Sequence, residues 1–330
     1  MLNQIFKNKT VSITGATGFV GKHLTELLID AGTNVEILTR QSMSSLPSNW
    51  QTRTTIVHGD LFSLNNFGQN SDYVFHLAVE NFNKKLMTQI NVIGTKKIVE
   101  RLKDSAKIKK FIFLSSICVF GNRHKEKVIS EEAICLPRNQ YEKTKYEAEI
   151  FIRNQISLGF PAVIIRPSII YGPGAKENNN FFRIVKAIKR GYFCFVGEQK
   201  SFYNIIYIHD VIRALLALAQ TENSENNKIF SINEPIEWRE FCVLVQKQLG
   251  LSNKIHTIPK AIAWPLSIVG SGFRYLKLPS PITYVAYKIL TCPSVYGTKN
   301  AEFQLSGIEK IGHERGIAET INYMKSAGII

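Results

Sequence analysis

Val11-Ser12-Ile13-Thr14-Gly15-Ala16-Thr17-Gly18-Phe19-Val20-Gly21-Lys22-His23-Leu24 sets three glycines between a strand-length apolar run and a helical pattern. Each glycine has its own task in such a turn. Gly15 permits the tight bend, Gly18 lets backbone approach a pyrophosphate, and Gly21 lets the helix pack on the strand. Val20, Leu24, Leu27, Leu28 and Ala31 recur at helical spacing until Gly32 supplies a stop signal. Free N–H groups at the start of that helix, with Thr17, Phe19 and Val20 beside them, suit the phosphates of a dinucleotide.

The pattern continues along the chain. Strand-like runs fall at Val11–Thr14, Val35–Leu38, Thr55–Val57, Tyr73–Leu77, Phe111–Leu114 and Ala162–Ile165, with helical patterns between them. Such alternation predicts an α/β fold: a doubly wound parallel sheet with helices on both faces. After Pro167 the character changes to Gly and Pro loops, a Lys-rich helix over Phe181–Lys189, and an apolar region from Ile258 to Leu290. That region is broken by Pro259, Pro265, Pro279 and Pro281 and carries Lys260, Arg274 and Lys277, so it is not a spanning helix. Residues 1–168 are therefore expected to form the dinucleotide-binding domain. Residues 169–201 and 234–330 are expected to form a smaller, mostly helical substrate domain. Segments within 202–233 (Asn204–Ala219 and Lys228–Asn233) read as a strand–helix–strand return to the sheet.

The 330 residues are 45% hydrophobic and 20% charged, which excludes a disordered tail, a collagen-like rod and a disulfide-stapled miniprotein. Lys and Arg total 41 against 26 Asp and Glu, a formal net charge of +15. The surplus suits an anionic small-molecule substrate or a membrane surface, or it is solvated Lys on helix faces. No nucleic-acid-binding motif appears, and no nucleic-acid partner is expected. Cys118, Cys135, Cys194, Cys242 and Cys292 form no Cys-x-x-Cys pair, so no metal site is expected. An odd, unpaired set and a short polar N-terminus without a secretory pattern fit a reducing cytoplasm. No transmembrane segment is expected; peripheral membrane contact remains open.

Cofactor specificity should be set where the second strand ends, at Thr39-Arg40-Gln41. No acid stands there to accept from a ribose 2′-hydroxyl. Arg40 can pair with a 2′-phosphate, which favours NADP over NAD. Asp60, in His58-Gly59-Asp60-Leu61, can accept from the adenine amine or can cap a helix. Tyr141 and Lys145 share one face if their segment is helical. A neighbouring ammonium and a nicotinium charge favour the phenolate, making Tyr141 a plausible acid–base for an alcohol–ketone pair. Ser115 and Ser116 close the fifth strand, where a hydroxyl can hold a substrate oxygen.

Taken together these motifs resemble the extended short-chain dehydrogenase/reductases, the NAD(P)-dependent epimerase/dehydratase superfamily. The landmarks are TGATGFVG (14–21), GDL (59–61), HLA (76–78), NVIGT (91–95), FIFLSSICVFG (111–121), YEKTK (141–145), RPSIIYGPG (166–174) and YIHDVIRALLALA (207–219). The resemblance implies a Rossmann-type sheet with Ser116, Tyr141 and Lys145 as the catalytic set. It also implies that Leu61, Leu77, Ala78, Asn91, Ser115, Pro167 and Ser168 lie at or near the cofactor. His76 reads as a buried structural imidazole. Relatives often dimerise through the helices that here contain Asn91–Leu102 and Tyr141–Ile152; nothing in those residues decides it, and a homodimer stays open.

Departures from the family pattern narrow the reaction. Dehydratases of the family carry an Asp-Glu pair where this chain has Ile117-Cys118, which argues against a 4,6-dehydratase. Cys118 matches the cysteine of the epimerase–reductases that make GDP-fucose, but their partner histidine is Gly174 here. It reads as packing, with substrate contact as the alternative. Many UDP-sugar-binding members have an Arg where this chain has Tyr203; Tyr203 and Asn204 are candidate substrate contacts. The C-terminal part resembles 3β-hydroxysteroid dehydrogenase-like ketoreductases. Three readings follow: hydride transfer on a nucleotide-linked sugar, as 4-epimerase or ketoreductase; reduction or oxidation of an apolar or lipid-linked ketone or alcohol; and a non-catalytic nucleotide-sensing or RNA-binding protein.

Overall fold

The computed structural model describes residues 5–121, 126–198, 200–222, 228–275 and 282–330. Lys277, Pro279 and Pro281, which help break the apolar region in sequence, lie outside the described residues. In chain order the main elements are β1 (Thr10–Thr14), α1 (Phe19–Asp30), β2 (Asn34–Thr39), β3 (Thr54–His58), β4 (Tyr73–His76), α2 (Lys84–Thr88), α3 (Thr95–Leu102) and β5 (Lys110–Leu114). Then follow α4 (Gln140–Ser157), β6 (Ala162–Pro167), β7 (Ile169–Tyr171), α5 (Asn180–Lys189), β8 (Phe202–Tyr207), α6 (Ile208–Leu218), β9 (Ile229–Ile232), β10 (Glu234–Glu237) and α7 (Trp238–Leu249). The C-terminal part adds α8 (Lys260–Tyr275), α9 (Tyr284–Leu290) and α10 (Gly312–Ser326).

Seven strands form one sheet in the order β9-β6-β5-β4-β1-β2-β3, every neighbouring pair parallel. Burial on both faces explains the unbroken apolar character of β4 to β6. Successive residues go to opposite sides of the sheet. Phe75, Ile112, Val163 and Ile165 pack in one core with α1, α6 and α10. Val74, Phe111, Phe113 and Ile164 pack in a second core with α3 and α4.

The strand order reverses beside β1, whose neighbours are β2 and β4. The crevice at the carboxyl ends of β1 and β4 is therefore the place where a parallel sheet of this kind accepts a ligand.

One sequence expectation needs correction. β9 does return to the sheet, beside β6, but β8 does not. β8 instead sits between β7, parallel, and β10, antiparallel, in a separate three-stranded sheet. The apolar run Phe202–Tyr207 is equally suited to either sheet, and pairing with two short strands decided the matter. Its helix α6 still packs on α1.

Candidate active site

The Gly-rich turn is built for close approach. Gly15 has φ +73°, and a Cβ there would stand 2.7 Å from the Ala78 backbone nitrogen. A Cβ on Gly21 would strike the Gly15 carbonyl oxygen and lie 2.7 Å from Ala16 Cα. Thr17, Phe19 and Val20 are partly exposed around the turn, and Gly18 is exposed. Helix α1 starts from Gly18 with no side-chain cap and no acid in its first turn. Its N-terminus is thus free to meet phosphate. Across the crevice Ser168 Oγ is buried without a hydrogen-bond partner among the described residues. These features fit a dinucleotide.

Leu77 and Ala78 leave β4 directly against the turn: Leu77 N donates to the Thr14 carbonyl, and Ala78 N to Thr14 Oγ1 at 3.3 Å. Arg40 is exposed at the end of β2, close enough to Asp60 to hold its carboxyl below the usual range, though backbone hydrogen bonds act first. Asp60 Oδ1 accepts from Phe62 N at 2.8 Å and Ser63 N at 3.0 Å, which spends one oxygen on a turn after β3; no helix begins there for it to cap. Leu61 is buried beside Gly94, where a Cβ would come within 2.5 Å of Leu61 Cδ1.

α2 runs through a π-turn, Gln89–Gly94, into α3. The π-turn carries Asn91, as such turns often do at functional sites. Asn91 Oδ1 accepts from Glu80 N at 2.8 Å, and its Nδ2 donates to Glu80 O at 2.9 Å and Thr144 Oγ1 at 3.1 Å. Its amide is consumed in bracing α4. It supports the site instead of contacting a cofactor.

α4 begins at a capping box, Asn139 with Glu142, which fixes where Tyr141 enters the helix. Lys145, one turn later, is buried and donates to the Leu114 carbonyl at 2.6 Å. Its ammonium lies 4.5 Å from the centre of the Phe113 ring. Burial pulls the Lys145 ammonium down to about 8, with Cys118 and Glu149 opposing. Burial pushes the Tyr141 phenol above its ordinary value, and the Cys118 sulfur nearby adds to that. Ser116 Oγ accepts from Cys118 N at 3.3 Å as the cap of the short helix Ile117–Phe120. The same hydroxyl is within hydrogen-bonding reach of the Cys118 thiol. Desolvation drives the Cys118 thiol up to about 12, so it is a neutral thiol at physiological pH.

Three expected site residues are engaged inside the protein. Ser115 does not offer its hydroxyl to a cofactor: it is buried and donates to Glu149 Oε1 at 2.5 Å. Tyr203 does not line the crevice. It is buried in the core, stacked on Trp238 with ring centres 4.3 Å apart. Asn204 is also engaged internally, donating to the Ser294 carbonyl at 3.0 Å and accepting from Asn233 Nδ2 at 2.9 Å. Pro167 ends β6, beside the sheet's carboxyl edge. His76 is fully buried between Thr14 Oγ1 and Thr95 Oγ1, and burial brings its imidazole down to about 3, consistent with a structural role.

Sequence reading missed three residues near the site. Arg166 and Glu149 form a buried pair with Nη2–Oε2 at 2.6 Å and Nε–Oε1 at 3.0 Å. The signal was a lone Arg in a strand otherwise apolar, and an acid four residues beyond Lys145 on one helix face. Tyr296 stacks on Phe120 with ring centres 5.9 Å apart, and burial pushes its phenol up to about 12. It brings the C-terminal part against the short helix that Ser116 caps.

Sheet order, phosphate turn and the Ser116–Tyr141–Lys145 set define a Rossmann-fold dinucleotide-binding protein. The sequence profile described as the NAD dependent epimerase/dehydratase family matches residues 11–233, and the chain belongs to that family. The 3beta-hydroxysteroid-dehydrogenase/decarboxylase isoform 1 of Arabidopsis thaliana is 24% identical over 94% of this chain and 78% of its own length. The N-acetyl-alpha-D-glucosaminyl-diphospho-ditrans,octacis-undecaprenol 4-epimerase of Escherichia coli O157:H7 is 29% identical over 62% of this chain and 61% of its own. Among solved structures, UDP-glucuronic acid 4-epimerase from Bacillus cereus in complex with NAD superposes with TM-score 0.72 at 20% identity. That match covers 96% of this chain and 99% of the other.

Proposed function

We propose that this protein moves hydride at a secondary alcohol or ketone of an apolar or lipid-linked substrate. Residues 1–168 with returning segments in 202–233 would hold the cofactor, and 169–201 with 234–330 the substrate. When bound, NAD or NADP supplies or takes up the hydride. Gly15, Gly18 and the start of α1 hold its phosphates, and Lys145 lies beside the crevice. Tyr141 gives or takes the proton at the substrate oxygen, while Ser116 donates a hydrogen bond to that same oxygen. Cys118, a neutral thiol without a partner histidine, takes no proton. Ile117 and Cys118 provide no acid–base pair for eliminating water.

The observation that carries the substrate class is Tyr203. Where UDP-sugar-binding relatives have an Arg, this chain has a tyrosine buried against Trp238, so the expected cation for a nucleotide diphosphate is missing at that position. The E. coli relative, by its name, acts on a sugar carried by an undecaprenyl diphosphate, and such a substrate reconciles sugar chemistry with an apolar carrier. A nucleotide-linked sugar is the second reading, supported by the +15 charge. Arg40 supports use of NADP, and the family description names NAD. Exposed Ile93 and Ile150, on the two helices through which relatives pair, support a homodimer.

The test has two parts. Purified protein is denatured and any released cofactor identified by mass; retained NAD favours an epimerase, and an empty protein that prefers NADPH favours a reductase. Turnover is then compared on polyprenyl-diphosphate sugars, UDP-sugars and an apolar cyclic ketone. Faster turnover of UDP-sugars than of both others would overturn the lipid-linked reading.

A further inference from the structure

Helix α8 is amphipathic in the wrong sense for a soluble protein. Its inward positions are small: Ala263 and Ser267 are buried at 1% and 0% exposure, and Gly270 is buried with them. Its large apolar side chains face outward, with Ile262 53%, Trp264 51% and Val269 54% exposed, and Leu266, Ile268 and Phe273 exposed alongside. α9 packs on it: Tyr284 N donates to Ser271 Oγ at 2.9 Å, while Val285 remains exposed. Scattered exposed apolar residues are normal, but a contiguous helical face of them marks an interaction surface.

Charge decides what covers it. Residues 241–301 contain no Asp or Glu, yet they carry Lys247, Lys254, Lys260, Arg274, Lys277, Lys288 and Lys299. A second copy would set α8 and α9, which carry Lys260, Arg274 and Lys288 and no acid of their own, against the same two helices, which like-charge repulsion opposes. An anionic surface is the complement. Lys260 opens α8, and Lys288 lies 4.5 Å over the Tyr284 ring in α9. Tryptophan, tyrosine and lysine around an apolar face suit the headgroup boundary of a bilayer. The 16 residues of α8 rise about 24 Å, short of a ~30 Å hydrocarbon core, and no described helix is long and apolar enough to cross a membrane.

We propose that the outward face of α8, with α9, docks this protein in the plane of an anionic phospholipid bilayer. The face also leads to the site: the chain leaves α9 at Leu290 and reaches Tyr296, stacked on Phe120, six residues later. Docking would present the crevice to a substrate held in the membrane. This deepens the lipid-linked reading, but its test needs no turnover.

The experiment is co-sedimentation of the full chain with vesicles of phosphatidylcholine alone or of phosphatidylcholine with phosphatidylglycerol at three to one. Binding to the anionic vesicles should be at least about tenfold tighter than to neutral ones and should weaken in 0.5 M salt. Trp264→Glu with Phe273→Glu should abolish it, and Lys260→Glu with Lys288→Glu should reduce it about tenfold. Unchanged circular dichroism and melting would certify that both variants fold. Tyr141→Phe should bind vesicles as the parent does, separating this proposal from the catalytic one. Absence of binding to either vesicle, equal binding to both, or a dimer in solution that the Trp264→Glu, Phe273→Glu variant dissociates would each overturn it.

Discussion

The Lys145 ammonium donates to the Leu114 carbonyl at 2.6 Å while lying 4.5 Å above the Phe113 ring. The end of β5 therefore fixes the cation, and among the described residues one of its three N–H donors is spent. Burial raises the Tyr141 phenol, and a cation held one helical turn away is the kind of charge that opposes such a rise. Tyr141→Phe should lower turnover by about 10²–10⁴-fold with cofactor affinity within about twofold of the parent. Lys145→Met should lower alcohol oxidation and move the rise in its pH–rate profile to higher pH. Steady-state rates from pH 6 to 10, with cofactor binding by fluorescence titration, check both. Full activity in Tyr141→Phe would refute the proton-transfer role.

Glu149 and Arg166 are each almost completely buried; Ser115 donates to the same carboxylate, and half-exposed Arg153 reaches it at 3.4 Å, a longer contact than Arg166 makes. Removing one partner strands the other charge in the core. Arg166→Met should therefore cost about 3–5 kcal/mol in urea unfolding. The double variant Arg166→Met, Glu149→Leu should recover most of that loss, because two apolar side chains leave no orphaned charge. If the double variant is no more stable than Arg166→Met, the pair is not the source of the effect.

Most of the main sheet was legible because its strands are buried on both faces and read as unbroken apolar runs between glycine stops. β8 was misplaced because Phe202–Tyr207 carries the same signal, whereas its sheet depends on Ile169–Tyr171 and Glu234–Glu237. Ser115 and Ser116 were indistinguishable by composition. Alternation along the strand separates them: Ser115 follows Phe113 toward α4 and Glu149, while Ser116 turns the other way. Tyr203 was given a site role by its alignment with a family position, yet its neighbours Trp238 and Phe241 come from a helix more than thirty residues away. Long-range pairing of this kind leaves no local trace.

His76 bridges Thr14 and Thr95 inside the sheet, and burial brings its imidazole down to about 3. The unfolded chain binds a proton on this residue below about pH 6.5, but the native state does not until about 3. Stability from His76 is thus full above pH 6.5 and is lost as pH falls, at up to ~1.4 kcal/mol per pH unit. His209, also lowered by burial, adds a smaller share of the same sign. Between pH 6.5 and 4.5 the urea midpoint should drop steadily, and His76→Gln should flatten that slope. An unchanged slope in the variant would assign the acid sensitivity elsewhere.

Arg40 stands exposed at the carboxyl end of β2, with Asp60 as its acidic neighbour across the end of β3. Among the described residues Arg40 makes no close ion pair, and Asp60 feels it only as a longer-range charge. The guanidinium is left to meet a 2′-phosphate. Arg40→Asp should weaken NADPH binding by about 10–100-fold, the scale of one lost charge-assisted contact, and leave NADH equal or tighter. Its thermal midpoint should stay near the parent's, because an exposed side chain with no structural bond is removed. Isothermal titration with both cofactors decides it. Equal affinity of the parent for NADH and NADPH, unchanged by the substitution, would show that Arg40 is solvated and that specificity resides in backbone contacts alone.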